Sequence, residues 1–404
     1  MDHASPYTAR VAKMPTPFPL REKIDTIISS CWLPIGYFVL LTGLFWLPER
    51  SLFSKTFYAL IAFPALLAML NSPKKSALLA KEPIIIFFVI FSAWLIASTF
   101  WSSSDHSQSS QIKRPLYVLM LFGGCAFMAL SQASTTLGNT LLYASLITTI
   151  GAAYSFFLFL SDPNQDRLVG SGSLSNPLLT SHLLGFACAY WLARWTCAQR
   201  HQALAIICGS ILLVALLATG SRTPLLALAT TSLWLACIWR SRRAFFPIAL
   251  LVIGLAVIFA LTPDLFTQRG LSHRPEIWSK ALQQIMETPW LGKGYGSPLA
   301  IWAPALGQTL SDPHNMELAI AFELGVIGLL LWCLIYAAAL ASCIRYRASA
   351  EFSISSALLI YGLMAGMTEG SNFLSRPNES WFLSWIPLAL IASLSIRKRL
   401  EQTG

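Results

Sequence analysis

Residues 203–243 read ALAIICGSILLVALLATGSRTPLLALATTSLWLACIWRSRR. Two apolar runs, 203–219 and 223–239, meet at Gly220-Ser221-Arg222, and the second closes on Arg240, Arg242 and Arg243. Each run matches the roughly 17 to 25 residues that a helix needs to cross a hydrocarbon core. Backbone facing lipid must satisfy its own hydrogen bonds, so runs of this composition fold as helices. A short polar turn at one end and a dense basic turn at the other mark a membrane hairpin whose basic end faces the cytoplasm.

The pattern extends over nearly all of the 404 residues. Further apolar runs lie near 27–46, 52–70, 84–100, 115–131, 138–160, 179–197, 244–262, 316–343, 353–368 and 381–395. The sequence therefore predicts an all-α integral membrane protein with about 12 transmembrane helices. Its expected organisation is a cytoplasmic tail over 1–26, nine spans over 27–262, a long and partly helical outer loop over 263–313, three spans over 314–395 and a cytoplasmic tail over 396–404. Composition agrees: 55% of residues are hydrophobic, 11% are charged and the mean hydropathy is +0.60. Too few charges remain to cover a water-facing surface. The N-terminal stretch is polar and basic, and the first apolar run lacks a small-residue cleavage pattern, so it reads as a retained helix.

The net charge of +10 does not point to nucleic acid, because the basic residues form small clusters between spans instead of a stripe. Arg21 and Lys23, Lys74 and Lys75, Lys81, Arg194 and Arg200, Arg240 to Arg243, Arg345 and Arg347, and Arg397 to Arg399 all fall on one side of an even number of spans. That side is the expected cytoplasm, with both termini. The eight cysteines lie in or beside apolar runs without a CxxC pair and read as small packing residues. No repeat of fixed period is visible, which speaks against transporter folds built from two similar halves.

The remaining basic residues lie on the outer side, where the chemistry is expected. Arg222, in the turn Gly220-Ser221-Arg222-Thr223, sits at the bilayer edge and must either snorkel to headgroups or pair with an anion. Backbone N–H groups around Ser221 together with a guanidinium would suit a phosphate. Arg167 precedes Gly170-Ser171-Gly172-Ser173, a string resembling a phosphate loop but without the strand and lysine of one. Arg269 and Arg274 lie just before an amphipathic stretch, PEIWSKALQQIMETPW, in which Ile277, Ala281, Ile285 and Met286 are spaced for one face. Gly292, Gly294 and Gly296 follow and would permit close turns beside a ligand.

His314, between Asp312-Pro313 and Asn315, stands where the outer loop re-enters the membrane. A neutral imidazole there could take a proton from an attacking hydroxyl near neutral pH, with Glu317 one turn on to orient it; the plainer role is helix capping. Glu323, inside an apolar helix, predicts pairing with an arginine of another span. Glu369 and Arg376 are further outer-face candidates. No HExxH, CxxC or DxD motif suggests a metal, so arginines would have to neutralise any anionic leaving group.

GSRT at 220–223, RPEIW with PWLGKGYG at 274–296, and PHN with FELGVIGLLL at 313–332 together resemble the O-antigen ligase and polymerase superfamily. The resemblance covers mainly 160–335. It implies a bacterial inner-membrane glycosyltransferase that moves polysaccharide from undecaprenyl pyrophosphate to a sugar of the lipid A core at a periplasmic active site. Arg222 and Arg274 would bind the pyrophosphate with Arg167 and Arg269 nearby, and His314 would be the base. Ser221, Asn315, Glu317 and Glu323 would support them. No cofactor or metal is implied, and the partners are the carrier-linked donor, the lipid A-core acceptor and membrane lipid. Direct displacement would invert the anomeric carbon. A polymerase or a protein O-oligosaccharyltransferase of the same superfamily, and less closely a lipid-glycan flippase, share much of this pattern.

Overall fold

Apart from one short hairpin, regular structure among the described residues is helical. The computed structural model describes residues 20–131, 135–198, 201–239, 242–246, 248–249, 274–303, 307–370 and 372–403. In chain order the helices are α1 Leu20–Phe45, α2 Arg50–Asn71, α3 Pro73–Leu79, α4 Pro83–Ser98, α5 Gln108–Ala129, α6 Thr136–Ser161, α7 Pro177–Cys197, α8 Gln202–Ala218 and α9 Thr223–Trp239. After the expected outer loop begins come α10 Arg274–Ile285, strands β1 Ile301–Ala303 and β2 Gln308–Leu310, then α11 Met316–Arg345, α12 Ala350–Glu369 and α13 Trp385–Thr403. β1 and β2 pair antiparallel, with Ile301 opposite Leu310.

Six of these, α1, α2, α5, α6, α11 and α12, are long and apolar enough to cross a membrane. A seventh forms if α3 and α4, bent by 77° at the break before Pro83, are counted as one span. α8 and α9 are shorter apolar helices. Helices lie over eleven of the twelve expected runs, and the run at 244–262 lies mostly outside the described residues. The boundaries differ at the C-terminal end, where α13 does not stop at 395 but runs as helix through the charged segment Arg397–Glu401. α1 likewise begins at Leu20, ahead of the expected 27.

Large side chains fill the centre. Trp191, Trp332, Trp381 and Trp385 are fully buried, and Trp385 meets Trp332 and Phe88 edge-on at 5.4 and 5.1 Å. Leu66, Val89, Ile150, Phe157, Ile207, Leu226 and Leu233 are exposed on the outside, as a lipid-facing surface requires. Hydroxyls inside the spans return to their own helix, as Thr231 Oγ1 does to Ala227 O at 2.7 Å. All eight cysteines are free.

Ion pairs define one end of the bundle. Lys75 pairs with Asp25, Arg399 with Glu82 and Arg397 with Glu351, so the start of α1 and the end of α13 are both tied to the α3–α4 region. At the opposite end lie the α8–α9 turn, the ends of α1 and α12, and α10.

α11 is broken at Gly325, whose backbone (φ 67°, ψ −171°) is not helical. A break leaves carbonyls without their usual partners, and within a membrane each must be supplied from elsewhere. Segment 289–296 does this. Lys293 N donates to Phe322 O and Gly294 N to Glu323 O, both at 2.8 Å, while Val326 N donates to Pro289 O at 2.8 Å and Trp94 Nε1 to Leu324 O at 3.0 Å. Of the glycines expected to approach a ligand, Gly292 and Gly294 approach protein backbone and Gly296 the side chains of Gln111 and Ser104. A Cβ on Gly292 would lie 2.5 Å from Glu323 C, and one on Gly294 2.5 Å from Ser102 Cα.

A Cβ on Gly325 would lie 2.2 Å from Trp290 O in a left-handed conformation. Gly325→Ala should therefore lower the melting temperature in detergent, reflecting a loss of at least about 1–3 kcal/mol from backbone strain alone. Circular dichroism or intrinsic fluorescence would measure it, and an unchanged melt would contradict this packing.

Candidate functional site

The turn between α8 and α9 is the floor of the site. Gly220 adopts φ 64°, which closes the turn, and Ser221 N donates to Thr219 Oγ1 at 3.3 Å. The N–H groups of Gly220 and Ser221, expected to face a phosphate, are thus spent within the turn. Ser221 is buried, while Arg222 projects from the turn with an exposed side chain at the start of α9. A helix N-terminus reinforces a guanidinium in attracting an anion.

Arg167 packs against the same turn. Its Nε donates to Thr219 O at 2.7 Å and Leu168 N donates to Ala218 O at 2.9 Å, so the cation covers the C-terminal carbonyls of α8. Gly220 leaves room for it, since a Cβ there would meet Arg167 Nε at 3.3 Å. The neighbouring Gly170–Ser173 string is not a phosphate loop. Gly170 N bonds Thr180 Oγ1 at 2.9 Å, Ser171 Oγ bonds Phe45 O at 2.8 Å and Ser173 N bonds Leu44 O at 3.1 Å, fastening this loop to the end of α1.

Arg274 approaches from the other side as the first residue of α10. The helix buries Ile277, Ala281 and Ile285 against Leu299, Ile301, Ala321 and Phe322, as the spacing predicts, but Met286 lies past its end and is exposed. Arg274 forms an ion pair with Glu369 at the end of α12, and its Nη1 and Nη2 reach Thr223 Oγ1 at 3.5 and 3.4 Å. Thr223 Oγ1 in turn donates to Glu369 Oε1 at 3.2 Å. Arg269 lies outside the described residues.

His314 stands next to this group. Its φ of 50° is left-handed, held by a hydrogen bond of 2.6 Å from its N–H to Asp312 Oδ1. Trp278 Nε1 bonds Pro313 O at 3.1 Å, which joins α10 to the same corner. Asn315, not His314, caps α11, its side chain accepting from Leu318 N at 2.9 Å. The imidazole is partly exposed, with Nδ1 3.9 Å from Asp312 Oδ1 and 4.0 Å from Glu369 Oε2.

Two expected partners sit elsewhere. Glu317 makes no ion pair or hydrogen bond with His314, and its Oε2 is buried without a partner. The carboxylates near the imidazole are those of Asp312 and Glu369. Glu323 does not form an ion pair with an arginine; its Oε2 accepts from Gly296 N at 2.8 Å and helps hold the glycine segment in the break of α11. Arg114 instead donates to Tyr295 Oη at 2.8 Å, and Tyr295 donates to Leu374 O. Burial holds the Tyr295 hydroxyl well above the ordinary phenol range, so it remains a neutral donor.

The structure therefore brings together Arg167, Ser221, Arg222, Arg274 and His314, and adds Thr223, Asp312 and Glu369. Glu369 carried a usable signal in the sequence. A carboxylate on the last residue of an apolar helix opposes the helix dipole and calls for a cationic neighbour.

Breaking a largely buried pair from one side leaves an uncompensated charge. Arg274→Ala alone should therefore destabilise the protein more than the double variant Arg274→Ala/Glu369→Gln. Thermal melts of both in the same detergent test this, and equal melts would show that the pair is fully solvated.

Three arginines and one histidine thus converge at the end of a bundle of apolar helices opposite the basic ion pairs, an arrangement suited to holding an anion. A family model described as O-antigen ligase matches residues 207–333, which run from α8 through the α8–α9 turn, α10 and His314 into α11. The O-antigen ligase of Pseudomonas aeruginosa is 42% identical over 381 residues, covering 94% of each chain. The chain belongs to the O-antigen ligase family, transferases of lipopolysaccharide biosynthesis.

Proposed function

We propose that this protein transfers an O-antigen polysaccharide from undecaprenyl pyrophosphate to a sugar hydroxyl of the lipid A core, on the periplasmic face of the bacterial inner membrane. The observation that carries this reading is the convergence of Arg167, Arg222 and Arg274 on one turn, beside His314. The orientation rests on the basic ion pairs, which by the positive-inside rule mark the cytoplasmic end and leave the site outside.

The donor's diphosphate would lie over the α8–α9 turn, near the N-terminus of α9. Guanidinium groups fixed at the edge of a low-dielectric bundle stabilise charge developing on a leaving phosphate more than solvated ones would. His314 Nε2 would take the proton of the acceptor hydroxyl as its oxygen bonds to the anomeric carbon. The bond from that carbon to the diphosphate oxygen breaks, its electron pair leaving as undecaprenyl pyrophosphate. A single displacement inverts the anomeric centre and calls for no metal. Asn315 and Ser221 act by fixing backbone, the first at the start of α11 and the second within the turn.

The test is reconstitution of the purified protein with carrier-linked glycan and lipid A core, with chelator present. Wild type should form product of inverted configuration, and a folded His314→Ala variant should lose roughly 10²- to 10⁴-fold in rate. Arg222→Lys should remain impaired, because a point charge does not replace a planar fork of donors. Retention of configuration would exclude the single displacement. Chain lengthening with carrier-linked glycan alone would make the protein a polymerase.

A further inference from the structure

The carboxylate of Glu369 faces two groups that would be needed at different moments. Its Oε1 is occupied by Arg274 and Thr223, and its Oε2, which accepts no hydrogen bond among the described residues, lies 4.0 Å from His314 Nδ1. That is about 1 Å beyond hydrogen-bonding reach. The other carboxylate near Nδ1, Asp312, already accepts the backbone N–H of His314 through the oxygen that is 3.9 Å from the ring. Glu369 sits on the end of α12, Arg274 on α10, Thr223 on α9 and His314 before α11, so four elements meet at one carboxylate.

We infer that Glu369 is a positioning residue that exchanges partners during turnover, holding Arg274 while the site is empty and supporting His314 once a diphosphate has engaged Arg274. This inference rests on the donor being a diphosphate. A guanidinium paired to a carboxylate is a weak phosphate ligand until the carboxylate yields. A diphosphate carries more negative charge than one carboxylate and accepts through several oxygens, so it competes for the same donors.

Loss of Arg274 would leave Glu369 a partly desolvated anion in need of a new donor. The nearest is Nδ1–H of His314, which becomes one half of an imidazolium when Nε2 receives the acceptor's proton. A carboxylate at Nδ1 fixes the ring's tautomer and orientation and stabilises that cation without itself taking a proton, as in hydrolases whose histidine is backed by an aspartate. Donor binding would thereby prepare the base. The proton later leaves Nε2 to solvent, and departure of the carrier diphosphate returns Arg274 to Glu369.

Two measurements test this on the full-length protein in detergent. The first is a steady-state comparison of Glu369→Gln with wild type. The amide keeps the shape, releases Arg274 and withdraws the charge from His314, so KM for the carrier-linked donor should fall while kcat drops roughly tenfold or more. Glu369→Asp should recover part of kcat. A purely structural role would lower kcat and raise KM together, and unchanged kcat would likewise overturn the inference.

The second is a double-mutant cycle of Arg274→Ala and Glu369→Gln, read as melting-temperature shifts with and without inorganic pyrophosphate. It needs no turnover. Coupling between the two residues should be strong in the apo protein and largely abolished by pyrophosphate. Coupling that persists undiminished while pyrophosphate stabilises wild type would overturn the exchange alone. Failure of pyrophosphate to stabilise wild type would overturn the diphosphate reading of the site, and the exchange with it.

Discussion

The interrupted α11 sets the constraint on which the rest of the structure depends. A membrane helix can break only where another part of the protein supplies the hydrogen bonds that the break forfeits. Here the supply comes from the segment that follows α10 and from Trp94 on α4. Four glycines, at 292, 294, 296 and 325, take left-handed backbone at this junction. The result is a loop hydrogen-bonded to α11 along its length, and α10 leads into it at its far end. Arg274 and His314 lie at the other end, where Trp278 joins α10 to Pro313.

The electrostatics follow from placing cations at the edge of an apolar bundle, where Arg274 is only partly exposed to solvent. Three arginines around one turn repel one another, and groups of the protein offset this for Arg167 and Arg274. Arg167 rests on the carbonyl end of α8, and Arg274 rests on Glu369 and Thr223. A stronger internal partner would lock the arginines away, and none at all would leave the turn under strain. Arg222 differs in being exposed.

Much of the fold was legible because hydropathy is a dense signal. Runs such as 223–239 coincide with the helix found, since apolar length and a basic terminus determine both. The count of spans was less legible. Periodicity cannot separate a lipid-facing helix from one buried among others, and α7, with most of its side chains buried, belongs to the second kind. For the site, residue type was informative where the chemistry is distinctive: arginines at the bilayer edge and a histidine at a helix start. Pairing was not. Glu317 and Glu323 looked well placed by sequence distance, yet the geometry of the break turns Glu323 toward Gly296 and leaves Glu317 without His314. The carboxylate that pairs with Arg274 and lies near His314, Glu369, is 55 positions from His314 in the chain, beyond the reach of any local motif. The glycines of 292–296 misled for a related reason. Close approach was the correct inference, but what approaches is the protein itself.

The junction around Tyr295 also changes how the chain divides into parts. Its backbone and hydroxyl are held by Ser98, Ser102, Gln111 and Arg114, all of which precede the stretch that carries the family's recognisable motifs. The first half of the chain, uninformative to motif searches, is thus the mould in which the second half sets. For genetics this means that loss-of-function alleles mapping to 94–114 need not be dismissed as failures of membrane insertion. They strike the bracket from which the active region hangs, and belong in the same complementation analysis as alleles of the motifs themselves.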